Sequence, residues 1–206
     1  MSETSSIADA DRLMLLALQG DEESRGALFE RYRPYLELLA RLELGHEFQG
    51  KIDTCDLVQE TFLEAHRCFA SFRGEDEKVF VAWLRSILAR RMSSTIRRYL
   101  GAKGRDIRRE RRLEMRLDRS SRQLDRGLFA PGSTPSHKAS RREQGVMLAS
   151  MLEALPDDYR EVIVLRHLEE LTFPEISERM ERSVDSVQKI WVRALARLRQ
   201  QMGTTL

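Results

Sequence analysis

The sequence predicts an all-α protein made of two small helical domains joined by a flexible basic linker. Three observations lead to that fold class. Apolar residues recur at helical spacing at both ends of the chain, whereas Val, Ile and Thr never alternate with polar residues over four or more positions. Charge is unevenly divided: residues 1–102 carry 14 basic and 17 acidic side chains, residues 103–143 carry 13 and 6, and residues 144–206 carry 8 and 10. Lastly, 127–140 (GLFAPGSTPSHKAS) holds two prolines, two glycines and four Ser or Thr, the composition of an irregular connector.

The first block divides into four helices. Residues 11–19 (DRLMLLALQ) give a short apolar helix that Gly20 ends. Asp21, Glu22 and Glu23 open the next, where acids suit the positive end of the helix dipole. Its inward stripe is Leu28, Phe29, Tyr32, Tyr35, Leu36, Leu39, Ala40 and Leu42, with Pro34 as an internal kink. A third helix runs from Thr54 to Ala70 with Leu57, Val58, Phe62, Ala65 and Phe69 inward, and Phe72-Arg73-Gly74 breaks the chain after it. The fourth, from Val79 to Leu100, turns Phe80, Trp83, Leu84, Ile87, Leu88 and Ile96 inward.

The middle block reads differently. From Arg105 to Arg126 the chain is arginine, acid and scattered leucine, and Ile107, Leu113, Met115, Leu117 and Leu124 make no clean stripe. The stretch is either a solvated helix or disorder, and the block is read as a tether, with an r.m.s. reach of roughly 35 Å as a flexible coil.

In the last block, Gln144–Leu155 stops at Pro156 and a helix follows from Asp157. Thr172 caps a short helix with Pro174 in its first turn, Glu181-Arg182 make a turn, and Ser183 caps the final helix. Val187, Ile190, Trp191, Ala194, Leu195 and Leu198 face inward. Two short helices joined by a tight turn, the second longer and basic toward its end, form a helix-turn-helix.

Catalysis finds little support. His66 and Cys68 point apart on their helix, no histidine has a partner at metal-ligand spacing, and no phosphate-binding glycine loop or nucleophile elbow is present. No catalytic residue, cofactor or metal is predicted. Asp56, Glu60 and Glu64 share a helical face, but an exposed one. Cys55 and Cys68 form no disulfide framework, no run of apolar residues is long enough to span a bilayer and the N-terminus is no secretory signal, so a cytoplasmic setting is expected.

Nucleic-acid recognition is better served. Outward on the final helix lie Asp185, Ser186, Gln188, Lys189, Val192, Arg193, Ala196 and Arg197, and the glutamine, lysine and arginine can reach base edges or phosphates in a major groove. Arg90, Arg91, Arg97 and Arg98 bunch near the end of the fourth helix. Two readings stay open on these residues: a helix-turn-helix regulator that dimerises through residues 1–100, and an RNA-binding adaptor working through the arginine-rich middle.

The run Asp56-Leu57-Val58-Gln59-Glu60-Thr61-Phe62, then Phe72-Arg73-Gly74 and Trp83-Leu84, resembles region two of bacterial RNA polymerase sigma factors. The tail resembles their region four through Leu155-Pro156, Tyr159-Arg160-Glu161-Val162, Leu165-Arg166, Glu175-Ile176, Ser186-Val187, Arg193-Ala194 and Leu198-Arg199. Two regions alone in so short a chain are similar to the extracytoplasmic-function group.

The resemblance implies a region-two bundle over 8–101, a linker over 102–144 and a region-four helix-turn-helix over 145–202. It implies that Asp56, Gln59 and Glu60 dock on the coiled coil of the largest subunit of core RNA polymerase. It implies that Arg73, Arg90, Arg91 and Ser94 contact the minus-ten element of promoter DNA. Thr172, Ser183, Ser186, Gln188, Lys189, Val192 and Arg193 would contact the minus-thirty-five element. An anti-sigma factor is a further partner that such a chain can have. Three positions depart from the family pattern: Glu181 stands where glycine is common, Ser177 replaces alanine, and Gln188-Lys189-Ile190-Trp191 replaces a basic-Ser-Arg run. Both flanking blocks are net acidic, so the free protein is expected to bind promoter DNA weakly.

Overall fold

The computed structural model describes residues 2–44, 48, 50–74, 76–101, 107–125 and 138–205. They form nine α-helices and no strand, in two compact units: Ser6–Arg122, and Gln123–Leu206 with Met1–Ser5.

In the first unit, α1 (Ser2–Leu18) begins earlier than the apolar pattern suggests and buries Ala10, Met14 and Ala17. Gly20 ends it at φ +96°, where the amides of Gly20 and Asp21 bond back to the carbonyls of Ala17 and Leu16. This left-handed stop favours glycine. Asp21 caps α2 (Glu22–Glu43) by accepting from the Ser24 amide, and that bond holds the Asp21 carboxyl below its usual range. α2 runs through Pro34 and buries the predicted stripe except for Leu42, which is only half-buried. Leu38 and Glu43 are buried as well.

α3 (Thr54–Cys68) is capped by Asp53 and passes into a 3-10 turn, Phe69–Ser71. α4 (Glu77–Tyr99) follows, capped by Asp76. The core between these helices is aromatic. Phe29 stacks on Phe62 at 5.4 Å and Phe80 at 5.8 Å, and Phe72 lies against Trp83 at 5.0 Å. Such offset and tilted pairs add about 0.5–1.5 kcal/mol each beyond their buried area. Gly74 is needed here because a Cβ would overlap the Phe72 ring and Val79. Trp83 is half-buried in this cluster, which agrees with its predicted place in the core.

The middle block is where expectation and structure part. Residues Ile107–Leu124 form a helix, α5, whose Leu113, Leu117 and Leu124 are buried and lie on one face. The missing part of the stripe is polar: Ser120 and Ser121 occupy the intervening inward positions and are buried too. A reading by hydrophobicity alone discards serines, so the face went unrecognised. Residues 126–137 of the predicted connector lie outside the described residues.

The second unit holds α6 (Lys138–Glu153), α7 (Asp157–Ile163), a π-helical turn at Val164–Leu168, α8 (Phe173–Arg179) and α9 (Val184–Thr205). Val162, Ile163, Ile176, Val187, Ile190, Ala194 and Leu198 are buried, and α9 packs against both α7 and α8. Trp191 and Leu195, predicted inward, are half-buried. No helix among the described residues is long and apolar enough to cross a membrane.

Candidate functional site

Three surfaces carry the predicted contact residues. The first is the outer face of α3. Asp56 and Gln59 are exposed, Glu60 is half-buried, and Leu63 one turn further on is half-exposed. Gln59 accepts a hydrogen bond from Arg33 at 3.1 Å. Arg33 is itself held by the Glu30 carboxylate at 2.6–2.7 Å and lies over the Phe62 ring. That charge-assisted pair lowers the Glu30 pKa and raises that of Arg33. Glu64, on the predicted acidic face, is instead engaged by Arg91 at 2.7 Å and Arg67 at 3.8 Å.

The second surface is the loop before α4 and the helix itself. The structure brings Arg90, Arg91 and Ser94 together: with Glu64, Ile87, Arg97 and Glu110 they line one concavity of about 610 Å³. Arg90 is exposed, Arg91 holds Glu64, and Ser94 accepts from Arg97 at 3.3 Å. Arg73 is not part of this concavity. Its guanidinium folds back onto its own loop and donates to the carbonyls of Ala70 at 2.9 Å and Phe72 at 3.1 Å.

The third is the helix-turn-helix. Thr172 and Glu175 form a reciprocal capping box at the start of α8, which holds Glu175 below its usual pKa. At the end of α8 the amides of Glu181 and Arg182 bond to the carbonyls of Glu178 and Ser177, with Glu181 left-handed at φ 52°. This is a Schellman stop, the motif in which glycine is favoured. The family-pattern glycine at this turn therefore answers a real backbone demand, and Glu181 meets it with strain. Ser177 has a matching purpose: its hydroxyl donates to the Arg182 carbonyl and ties the turn shut, which alanine cannot do. Ser183 then accepts from the Ser186 amide at 3.3 Å as the N-cap of α9.

From that cap α9 presents Gln188, Lys189, Val192 and Arg193 outward, all exposed, with Val192 57% accessible, while Ser186 is half-buried. Lys189 pairs with Asp185 one turn back at 2.7 Å. The roll of α9 is set by Trp191. Its indole N–H donates to His167 Nε2 at 3.0 Å, and its ring meets Phe173 edge-on at 5.5 Å. His167 must be unprotonated at Nε2 to accept this bond. Burial, and then the neighbouring Arg166 charge, hold its pKa below the ordinary value. Arg182 also bonds Asp158 at 2.7 Å, fixing the turn to the start of α7.

Sequence reading missed one feature outright, the buried polar contacts of α5. Tyr35 Oη lies 2.6 Å from Ser121 Oγ, and Arg85 donates to Ser121 at 2.8 Å and to Asp118 at 2.9 Å. Ser120 donates to the Glu43 carboxylate, which also meets Arg116 at 2.6 Å. The available signal was a charged residue on a core face: Glu43 is 6% and Arg85 8% exposed. Buried charges call for partners.

Known proteins resemble the chain over both of its blocks. The family model "Sigma-70 region 2" matches residues 28–100, and "Sigma-70, region 4" matches residues 145–198. A curated ECF RNA polymerase sigma-E factor of Haemophilus influenzae is 31% identical over 182 residues, covering 85% of this chain and 86% of that protein. Sigma-E factors of Salmonella typhimurium and Escherichia coli are 28% identical over 185 residues, 89% of this chain and 90% of theirs. A solved chain described as CnrH in complex with the cytosolic domain of CnrY is aligned over 95% of this chain and 98% of that one, at 23% identity and a TM-score of 0.33. With both regions present in order and a relative this similar over most of its length, the chain belongs to the extracytoplasmic-function group of RNA polymerase sigma factors.

Proposed function

We propose that the protein acts in the cytoplasm as a promoter-specificity subunit without chemistry of its own, the polymerase supplying the active site. In this reading residues 8–101 dock on core RNA polymerase through Asp56, Gln59 and Glu60, against the coiled coil of the largest subunit. Arg90, Arg91 and Ser94, with Arg73 on the preceding loop, engage the minus-ten element. Residues 145–202 read the minus-thirty-five element through Gln188, Lys189, Val192 and Arg193, with Thr172, Ser183 and Ser186 at the two helix starts. An anti-sigma factor that covers either surface is the partner such a chain would be held by.

The observation that carries this reading is the outward face of α9. Gln188, Val192 and Arg193 stand exposed in successive turns of a helix whose start is fixed by a Schellman stop and a serine cap. A donor-and-acceptor amide, an apolar tip and a guanidinium form a set able to tell base pairs apart in a major groove. In this reading Arg91, paired with Glu64 in the structure, exchanges that carboxylate for a phosphate on the other surface.

Run-off transcription with core polymerase and a genomic promoter pool tests the reading. Discrete transcripts that depend on the protein are expected, and aligning their upstream sequences yields the promoter code. No new transcript, together with no co-migration with core polymerase, overturns it.

A further inference from the structure

The outer face of α5 has no part in the reading above. At about 3.6 residues per turn, Arg108, Arg111, Arg112, Met115, Arg119 and Arg122 lie opposite the buried Leu113, Leu117 and Ser120. All six are exposed, Met115 by 72%. The row extends over about 21 Å of helix. Among the described residues, Arg108, Arg111, Arg112 and Arg119 make no ion pair or hydrogen bond, and Arg122 pairs only with Asp118 at the edge of the row.

On other helices some arginines are neutralised at helical spacing. Arg25 has Glu22, Arg33 has Glu30, and Arg160 has Asp157. On α5 the same spacing sets arginine beside arginine: Arg108 with Arg111 and Arg112, and Arg119 with Arg122. Like charges three and four apart oppose a helix, so this face works against the element that carries it. The inner face compensates by anchoring α5 to α2 and α4 through Ser120, Ser121, Asp118 and Arg116. A rigid, self-repelling row of cations is complementary to a polyanion. The first turn of α5 also reaches the α4 surface: Glu110, on the inner side of the helix, lines the same concavity as Arg90, Arg91, Ser94 and Arg97.

We propose that the arginine face of α5 is a further DNA-binding element, which holds the phosphate backbone of duplex DNA flanking the segment engaged by α4. The proposal rests on the assignment of α4 to promoter DNA. It adds affinity without base selectivity, since phosphate contacts carry no sequence information.

The test uses the full chain assembled with core polymerase and a labelled promoter duplex, with affinity measured across a roughly fourfold range of salt. Each phosphate contact contributes about 0.9 to the slope of log affinity against log salt. The Arg108→Ala/Arg111→Ala/Arg119→Ala variant is expected to lose about 2.7 from that slope. Its deficit against the parent would then be about 40-fold larger at the low-salt end than at the high-salt end. The same loss is expected on a duplex of scrambled sequence, and the triple lysine variant should restore most of it. None of the three residues belongs to the buried network, so thermal melting should not fall, and relief of the like-charge pairs should raise it slightly.

An unaltered slope overturns the proposal. So does a deficit that appears in binding to core polymerase without DNA, which would make this a protein-docking face, or one confined to single-stranded oligonucleotide. If the parent protein forms no promoter complex with core at all, the assignment of α4 and α9 fails. If the parent does and the variant matches it, only the role of α5 fails.

Discussion

Glu181 occupies the left-handed position of the α8–α9 turn at φ 52°, exposed and with its amide bonded to Glu178. A β-carbon in that region costs about 1 kcal/mol or more, partly offset in the glycine variant by a looser unfolded chain. Glu181→Gly is therefore expected to stabilise the protein by about 0.5–1 kcal/mol, read as a rise in the urea midpoint with an unchanged slope. His167 makes the opposite kind of contribution, one that pH can remove. Its folded pKa is depressed, by burial first and then by Arg166. The unfolded chain therefore takes up the proton first, and stability is full above the ordinary imidazole value of 6.5 and lost as pH falls below it. The melting temperature is expected to drop on acidification. His167→Gln should flatten part of that slope while preserving an acceptor for the Trp191 indole. If the pH profile is unchanged in the variant, the remaining slope belongs to other groups, His66 among them, whose pKa is also lowered by burial.

Among the elements, α5 shows how a helix with few apolar residues can still belong to a core. Its docking is polar, and a polar contact once buried is costly to leave half made. Ser121 is 2% exposed and meets both Tyr35 and Arg85. Ser121→Ala is expected to destabilise the first unit by about 1–3 kcal/mol, measurable by denaturant titration and as faster amide exchange along α5. No change in either would mean that water replaces the hydroxyl without loss. α9 is the contrasting case, since its outward residues do no packing. Arg193→Ala and Gln188→Ala should leave the melting temperature within experimental scatter while weakening transcription from promoters that depend on the minus-thirty-five element. Each lost base contact costs about 1–3 kcal/mol, or roughly 5- to 150-fold. A matched fall in stability would reassign these residues to structure.

For the whole molecule, the position of α5 alters the electrostatic reckoning. Cut at residue 102, the first block is net acidic, but the compact unit Ser6–Arg122 carries 23 basic and 20 acidic side chains, and Gln123–Leu206 carries 12 of each. The free protein is therefore expected to bind duplex DNA with a salt dependence seated in the first unit and little preference for promoter over scrambled sequence. Core polymerase should add the selectivity, and anisotropy titrations on both duplexes at two salt concentrations check it. An equal loss of binding on removing 123–206 would contradict that seat. By itself the sequence determined what depends on local rules: helical period, the acids that open α2, the caps at Thr172 and Ser183, the stop at Gly20, and an ordered set of motifs legible along the chain. The departure at Glu181 was legible as well, through the family pattern that favours glycine there, and the structure supplied the backbone angle that explains it. Only the tertiary structure decided which polar side chains are inside. Ser120, Ser121, Glu43 and Arg85 count as surface residues until their partners are known, and those partners lie 33 to 86 positions away in the chain. Hydrophobic pattern reports the cost of burying a residue alone, and the energy that offsets that cost for a polar group exists only once the helices have met.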